Sequence, residues 1–436
     1  MAVEASGRPL SRATLAGFAV GSVGTGLFST VPTVLLLFYC TETLGITAAA
    51  ASMILMVPKV WCLFWDPFVG RWSDRIESRW GRRAPFMMVG AFGTAIAFVA
   101  LFNTPTGSST SVIAAVAAAY LFATSSYTLF SVPYIAVPAE ISALPHERER
   151  AIAWRMPCMM SGVLLGAAAA PHFVALGGGG RAGYASMSWT IAGVALLAML
   201  TSAVTVRRFG GAPPAARQEA SPLRHRPFQR LVLAYLMQMS AVAYVFAAMP
   251  YLTTQVLRAP TQTTGTLLGV LLFTSILAMP LWSWLSRRIG VQRALTFATL
   301  LFILGLSSLL LIGETTPIAV SLVIFALLGG PIAALQLLPF MLLAHLINAF
   351  GVAHGSHQEG TFTGLFIAAE KVALAAGPML VGLGLSALGH VGSGARDSGA
   401  VSQGIVILAV VIPAALGVAS AAVGRASATS SIPALP

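Results

Sequence analysis

Charge is scarce in this sequence: 9% of the 436 residues are charged, against 57% hydrophobic. A water-soluble chain of that length could not cover its surface with so little charge without exposing one large apolar patch. Lipid must be the solvent for most of it. Acidic residues are scarcer than basic ones, 13 against 25. Cysteine is nearly absent as well. Cys40, Cys62 and Cys158 stand far apart, in or beside apolar runs and without metal-ligand spacing. They read as small buried hydrophobes, with no disulfide and no metal expected. Catalytic signatures are also missing. His146-Glu147 opens like a zinc-protease motif, but Arg150 stands where the second histidine belongs. No phosphate-loop lysine and no nucleophile elbow is present. The chain is not expected to be an enzyme, to hold a cofactor or to use ATP directly.

What is present is a series of about twelve apolar runs, each near the roughly 20 residues needed to cross a bilayer. They are continuous rather than alternating, which selects helices over a barrel. Met1–Ala13 carries Arg8 and Arg12 without a cleavage pattern and reads as a cytoplasmic tail. Most arginines fall at alternate connections, while the opposite connections hold only Arg181, Arg258 and Arg396. That asymmetry puts both termini in the cytoplasm and accounts for the basic excess without nucleic acid.

One long polar connection, 207–230, is rich in Pro, Gly, Ala and Arg. It reads as a cytoplasmic linker between an N-terminal bundle (1–206) and a C-terminal bundle (231–436). The halves echo each other: Pro67 precedes Ser73-Asp74-Arg75-Ile76, and Pro280 precedes Ser286-Arg287-Arg288-Ile289 at the same spacing. The expected fold is an all-α integral membrane protein, two six-helix bundles in parallel repeat. Transporters of that plan bind solute between the halves near the midplane.

The hinge after the second run reads Asp66-Pro67-Phe68-Val69-Gly70-Arg71-Trp72-Ser73-Asp74-Arg75, then Ser78-Arg79-Trp80-Gly81-Arg82-Arg83-Ala84-Pro85. It resembles the major-facilitator loop pattern and, more specifically, the glycoside–pentoside–hexuronide:cation symporters. Tyr127-Thr128, Pro133-Tyr134, Glu147–Arg150, Glu359-Gly360-Thr361 and Lys371 extend the resemblance. It implies the twelve-helix major-facilitator fold and symport of a small solute with a cation. Departures are informative. Cys62 and Trp65 stand where sodium-coupled members have an aspartate and an asparagine beside the equivalent of Asp66. Gly26 and Ser131 stand where sugar-binding members have acidic residues. Glu370 precedes the family's lysine, and His345 replaces an aspartate.

Sodium needs several hard oxygen ligands, and this second helix offers one carboxylate. Asp66 is therefore expected to carry a proton, or else to hold a fixed salt bridge to Lys371; Glu370 joins this coupling group. Lys59, two turns before Asp66, either lines the solute cavity or snorkels. Trp61 and Trp65 serve as an aromatic platform or as packing. Cys62, Tyr127, Ser131, Tyr134, Arg155 and Gln336 complete the expected cavity. Asp74, Arg75, Arg79, Glu140, Arg148, Arg150, Arg287, Arg288, His345 and Glu359 lie at cytoplasmic helix ends. They are expected to form ion pairs that gate the inner side, or simply to set topology. The expected protein is a monomeric transporter in the inner (plasma) membrane. Its solute is a sugar or glycoside first, with a lysolipid-like metabolite or a non-transporting sensor as alternatives. Protons are expected ahead of sodium.

Overall fold

The computed structural model describes residues 10–76, 78, 80–141, 145–207, 225–354, 359–389 and 399–428. Among the described residues every regular element is helical. Twelve helical spans are long and apolar enough to cross a membrane. They are α1 (Arg12–Leu36), α2 (Ala48–Ser73), α3 (Ala84–Phe102), α4 (Ser109–Pro138), α5 (Arg150–Leu176), α6 (Gly180–Val206), α7 (Arg226–Val256), α8 (Gln262–Ile289), α9 (Val291–Leu311), α10 (Ile318–Ile347), α11 (Phe362–Ala387) and α12 (Ala400–Gly424). In lipid a helix is the element that satisfies its own backbone, which is why these runs fold so uniformly. α7 opens at Arg226, inside the segment expected to be linker. Residues 208–224 of that segment lie outside the described residues.

The chain divides into two compact units, Met1–Ile46 with Met53–Ala215, and Thr47–Ser52 with Ala216–Pro436. Their internal packing follows one scheme. In the first unit α1 packs on α5 and α6, and α3 on α4 and α6. In the second, α7 packs on α11 and α12, and α9 on α10 and α12.

The repeat also holds at the level of single bonds. Ser73 Oγ donates to the Gly70 carbonyl at 3.0 Å, and Ser286 Oγ to the Ser283 carbonyl at 3.0 Å. The first helix of each half ends in a widened turn. Leu44 N–H donates to Tyr39 O at 3.1 Å and Ile46 N–H to Cys40 O at 2.9 Å. Leu257 and Ala259 make the matching bonds to Leu252 and Thr253 at 2.9 and 3.0 Å. Each closure needs one left-handed residue, supplied by Gly45 (φ 68°) in one half and Arg258 (φ 51°) in the other. All these residue pairs stand at one constant offset along the chain. The short sequence echo at the hinge is thus part of a longer structural repeat.

Small residues set how close the helices come. A Cβ on Gly26 of α1 would lie 2.6 Å from the Met159 carbonyl and 2.8 Å from Val163 N, both on α5. Gly162 of α5 presses equally tightly on the Val23 carbonyl of α1. In the other unit, Gly377 of α11 meets the backbone of Ala243 and Tyr244 on α7. Small residues on both faces allow such backbone contact, the usual adhesive between helices in lipid.

Candidate functional site

In the first unit α2 presents its polar side chains to α4. Lys59, Cys62 and Asp66 recur at helical spacing, so they share a broad face. Thr128 Oγ1 of α4 donates to Asp66 Oδ1 at 2.8 Å. Cys62 Sγ lies 3.7 Å from the same hydroxyl. A hydroxyl has one proton to give, so the thiol must be the donor in that contact, completing a chain Cys62–Thr128–Asp66. Lys59 Nζ stands 6.0 Å from the centre of the Tyr120 ring on α4. Trp61 Nε1 donates to Ser125 Oγ and Trp65 Nε1 to the Ser125 carbonyl, each at 3.0 Å. These bonds fix both indoles, which stack at 5.7 Å. Phe68 extends the stack, and Trp72 packs against Phe68 at a tilt of 45°. Trp61, Phe68 and Trp72 are each more than 40% exposed, so the platform keeps an open face.

Toward the other end of α4 lies a second polar node. Arg155 of α5 donates from Nε to Ser22 Oγ of α1 at 3.0 Å, and its guanidinium carbon lies 4.9 Å from the Tyr134 ring centre. The Tyr134 hydroxyl is 2.8 Å from Ser22 Oγ and donates to the Phe18 carbonyl at 3.0 Å. Tyr134 was expected at the solute cavity. It is instead fully buried, packed with Phe18, Phe130 and Met87, because its ring and hydroxyl join α1 to α4. Ser131, one turn earlier on α4, is 2% exposed, and its hydroxyl has no hydrogen-bond partner among the described residues. Tyr127 is half-buried and stacks on Phe28 at 4.5 Å.

The second unit holds Glu370 and Lys371, both half-buried on α11. Glu370 lies within electrostatic reach of Lys371 and of Tyr235 on α7, whose buried hydroxyl has no hydrogen-bond partner among the described residues. Tyr235 is held in place by stacking on Phe366 at 4.1 Å. Gln336 is half-buried on α10.

Of the expected gate residues, Arg75, Arg287, Arg288 and His345 are exposed, and Arg288 lies 5.4 Å from the Trp284 ring. Arg150 pairs with Glu147 at 2.6 Å. Glu147 is 1% exposed, and its other oxygen accepts the Leu10 N–H at 3.0 Å. The side chains of Asp74, Arg79, Glu140, Arg148 and Glu359 lie outside the described residues. Within the hinge, Arg83 donates to Ser73 Oγ in a buried contact.

This assembly of twelve spans and embedded polar groups has relatives. The family described as MFS/sugar transport protein matches residues 17–424. The chain belongs to that family. It is 31% identical over 148 residues to a putative glycoside/cation symporter, YagG, of Escherichia coli, covering 34% of this chain and 32% of that one. It is 24% identical over 396 residues to the sodium-dependent lysophosphatidylcholine symporter 1 of Mus musculus, covering 79% and 71%. Three curated bacterial symporters that it matches are spanned over 31% to 60% of their length. The fold is shared with a solved bacterial homologue of the human lysosomal transporter Spinster, inward-facing and occupied. That match has a TM-score of 0.71 at 13% identity, covering 96% of both chains.

Gly26 is not merely neutral: the α1–α5 crossing leaves no room for any side chain there. Thr128, Ser125 and Ser22, which hold Asp66, the indoles and Arg155, are not among the site residues expected from sequence, although Thr128 carries part of the family resemblance. A cue for two of them existed, since Ser125, Thr128 and Ser131 recur every third residue in and just after the polar run 124–128. Ser22 and Tyr235 carry no such cue, because their partners are remote in sequence.

Proposed function

We propose that this major-facilitator transporter is a solute–proton symporter working by alternating access in the inner membrane, with both termini cytoplasmic. A sugar or glycoside is the first solute class, in keeping with the family and with YagG. The observation that carries the coupling reading is the Cys62–Thr128–Asp66 chain: one carboxylate oxygen approached by a hydroxyl whose own partner is a thiol. Sodium is held by several hard oxygens in a compact cage, and a thiol is a poor member of one. A carboxylate with a hydroxyl donor beside it and a half-open face suits proton loading and release. Glu370, within electrostatic reach of Tyr235 and Lys371, is a second carboxylate for the same task. The exposed charges at the helix ends, Arg75, Arg287, Arg288 and His345, support an inner gate.

A second reading has a specific observation behind it. Gly26 cannot host a carboxylate for sugar hydroxyls, while Trp61, Phe64, Phe68 and Trp72 leave an exposed aromatic face. Both suit an amphipathic solute of the kind named for the mouse relative. Uptake into proteoliposomes separates the readings: glycosides and lysolipids are compared under an imposed pH gradient and then a sodium gradient. The proposal expects glycoside uptake driven by the pH gradient. Sodium-driven uptake overturns the coupling assignment, and uptake of lysolipids alone overturns the sugar assignment.

A further inference from the structure

Small residues on helices in lipid usually let the backbones close to direct contact. The α9–α12 pair of the second unit departs from that pattern. A Cβ on Gly417 of α12 would meet only the side chains of Ile303 and Thr299 on α9, at 3.6 Å. A Cβ on Gly424 would lie 3.3 Å from the side-chain nitrogen of Gln292. Neither glycine meets backbone, unlike Gly26, Gly162 and Gly377. The space left over is a groove of about 210 Å³. Its walls include Thr296, Thr299, Leu300 and Ile303 of α9, with Val418 and Ala421 of α12. Close-packed proteins keep few voids larger than a water molecule, so a groove of this size calls for an occupant.

Two features define that occupant. First, the groove has nothing to offer water. Thr296 Oγ1 donates to the Gln292 carbonyl at 3.1 Å and Thr299 Oγ1 to the Leu295 carbonyl at 2.9 Å, so both hydroxyl protons are engaged. Leu300 and Val418 are each 57% exposed, which opens the groove through apolar side chains. A cavity of that lining stays dry and takes an apolar guest. Second, one end is basic. Arg293 stands three positions before Thr296 and seven before Leu300, on the groove's side of α9. The facing helix runs on to Ala428, and Arg425 stands four positions after Ala421 and seven after Val418. Gly417 lies beside Thr299 and Gly424 beside Gln292, so the helices are antiparallel and both arginine positions fall at one end. Arg293 is exposed and makes no ion pair among the described residues. Membrane topology asks for basic residues at helix ends, but not for an apolar groove that terminates on them.

We propose that the α9–α12 groove is a binding site for an anionic phospholipid, with one acyl chain along the groove and the headgroup phosphate at the Arg293 end. From Thr296 to Ile303 the groove follows α9 for about 10 Å, room for part of one chain. Burial of methylenes contributes affinity for any phospholipid, and the basic end selects among headgroups. A zwitterionic headgroup carries its own cation and gains little there, whereas an anionic one keeps its net charge for the arginines. The site lies within one unit and does not depend on which solute is carried or on the coupling ion. It therefore goes beyond the transport reading and stands or falls separately from it.

The test illuminates the full-length protein in detergent micelles with a phosphatidylglycerol that bears a diazirine in one acyl chain. Mass spectrometry then maps the label, which is expected to concentrate on 296–303 and 418–422. Unlabelled phosphatidylglycerol should compete about tenfold better than phosphatidylcholine with the same chains, at roughly fivefold per arginine. Arg293→Gln should lower that ratio about fivefold, and the further change Arg425→Gln should bring the two competitors level. Ala421→Phe, which fills the groove, should remove the label from 296–303, with thermal melting in the same detergent confirming a folded variant. Because Arg293 is exposed, its substitution tests the headgroup without disturbing the packing. Label spread evenly over the exposed faces of all the spans overturns the inference. Equal competition by the two lipids does so too, as does a preference that survives the double substitution. Glycerol 3-phosphate competing as well as the lipid would assign the basic end to a soluble phosphate and overturn the acyl-chain site.

Discussion

The α1–α5 crossing gives a prediction whose magnitude follows from geometry. A Cβ at Gly26 would meet Met159 O at 2.6 Å and Val163 N at 2.8 Å, both backbone atoms that cannot rotate away. Gly26→Ala must therefore separate two helices along their contact, and overpacking of this kind costs about 1–3 kcal/mol. Gly193 of α6 is the internal control, since a Cβ there meets nothing within 4 Å. In a helix interior Gly→Ala gains about 0.5–1 kcal/mol. The two single-methyl changes should thus differ by about 1.5–4 kcal/mol, with opposite signs. At roughly 2–4 °C per kcal/mol, Gly26→Ala should melt well below the wild type and Gly193→Ala slightly above it. Thermal melts of the purified variants in one detergent, followed by tryptophan fluorescence, read this directly. A Gly26→Ala variant as stable as the wild type would show that the crossing is looser than described. An acidic side chain could then fit at that position.

Other outcomes follow from single contacts. Arg258 holds a left-handed conformation (φ 51°) and pairs with Glu314 at 3.1 Å, where the two side chains are 33% and 64% exposed. Arg258→Gly loses a surface pair worth about 0–1 kcal/mol but gains about 1–2 kcal/mol of relieved strain. It should match or exceed the wild type in melting temperature, whereas Arg258→Ala should fall below it. Thr128→Val removes the donor on Asp66, a charge-assisted bond worth about 1.5–3 kcal/mol, and should slow proton-driven uptake by roughly tenfold; Thr128→Ser should restore it. Glu147→Ala frees Arg150 and the Leu10 N–H together. Trypsin cleavage after Arg12 should then accelerate, read by mass spectrometry against wild type.

The architecture was legible because lipid imposes a simple rule: each span must be apolar, long and helical, and the basic connections alternate. The hinge echo was legible because Pro67 and Pro280 precede Ser73 and Ser286 at the same spacing. The widened turns at Tyr39–Thr43 and Leu252–Val256 were not, since their sequences share little and only the backbone repeats. At the site, Asp66, Lys59 and Arg155 declared themselves as charges in apolar runs. Their holders did not, because a serine or threonine in a membrane helix most often caps its own backbone. Thr94, Thr124 and Thr201 do that here. Tyr134 misled for the converse reason. A tyrosine among cavity candidates and a tyrosine bolting α1 to α4 look alike until Ser22 and Phe18 are placed beside it.

The central claim, that a solute moves together with a proton handled at Asp66, is tested most directly by trapping a pH-sensitive dye inside proteoliposomes. On adding a transported solute outside, the wild type should acidify the lumen in step with uptake, without sodium and without an imposed gradient. Asp66→Asn should bind the solute yet give no acidification. Full acidification by Asp66→Asn, or a signal that needs sodium, would contradict the account.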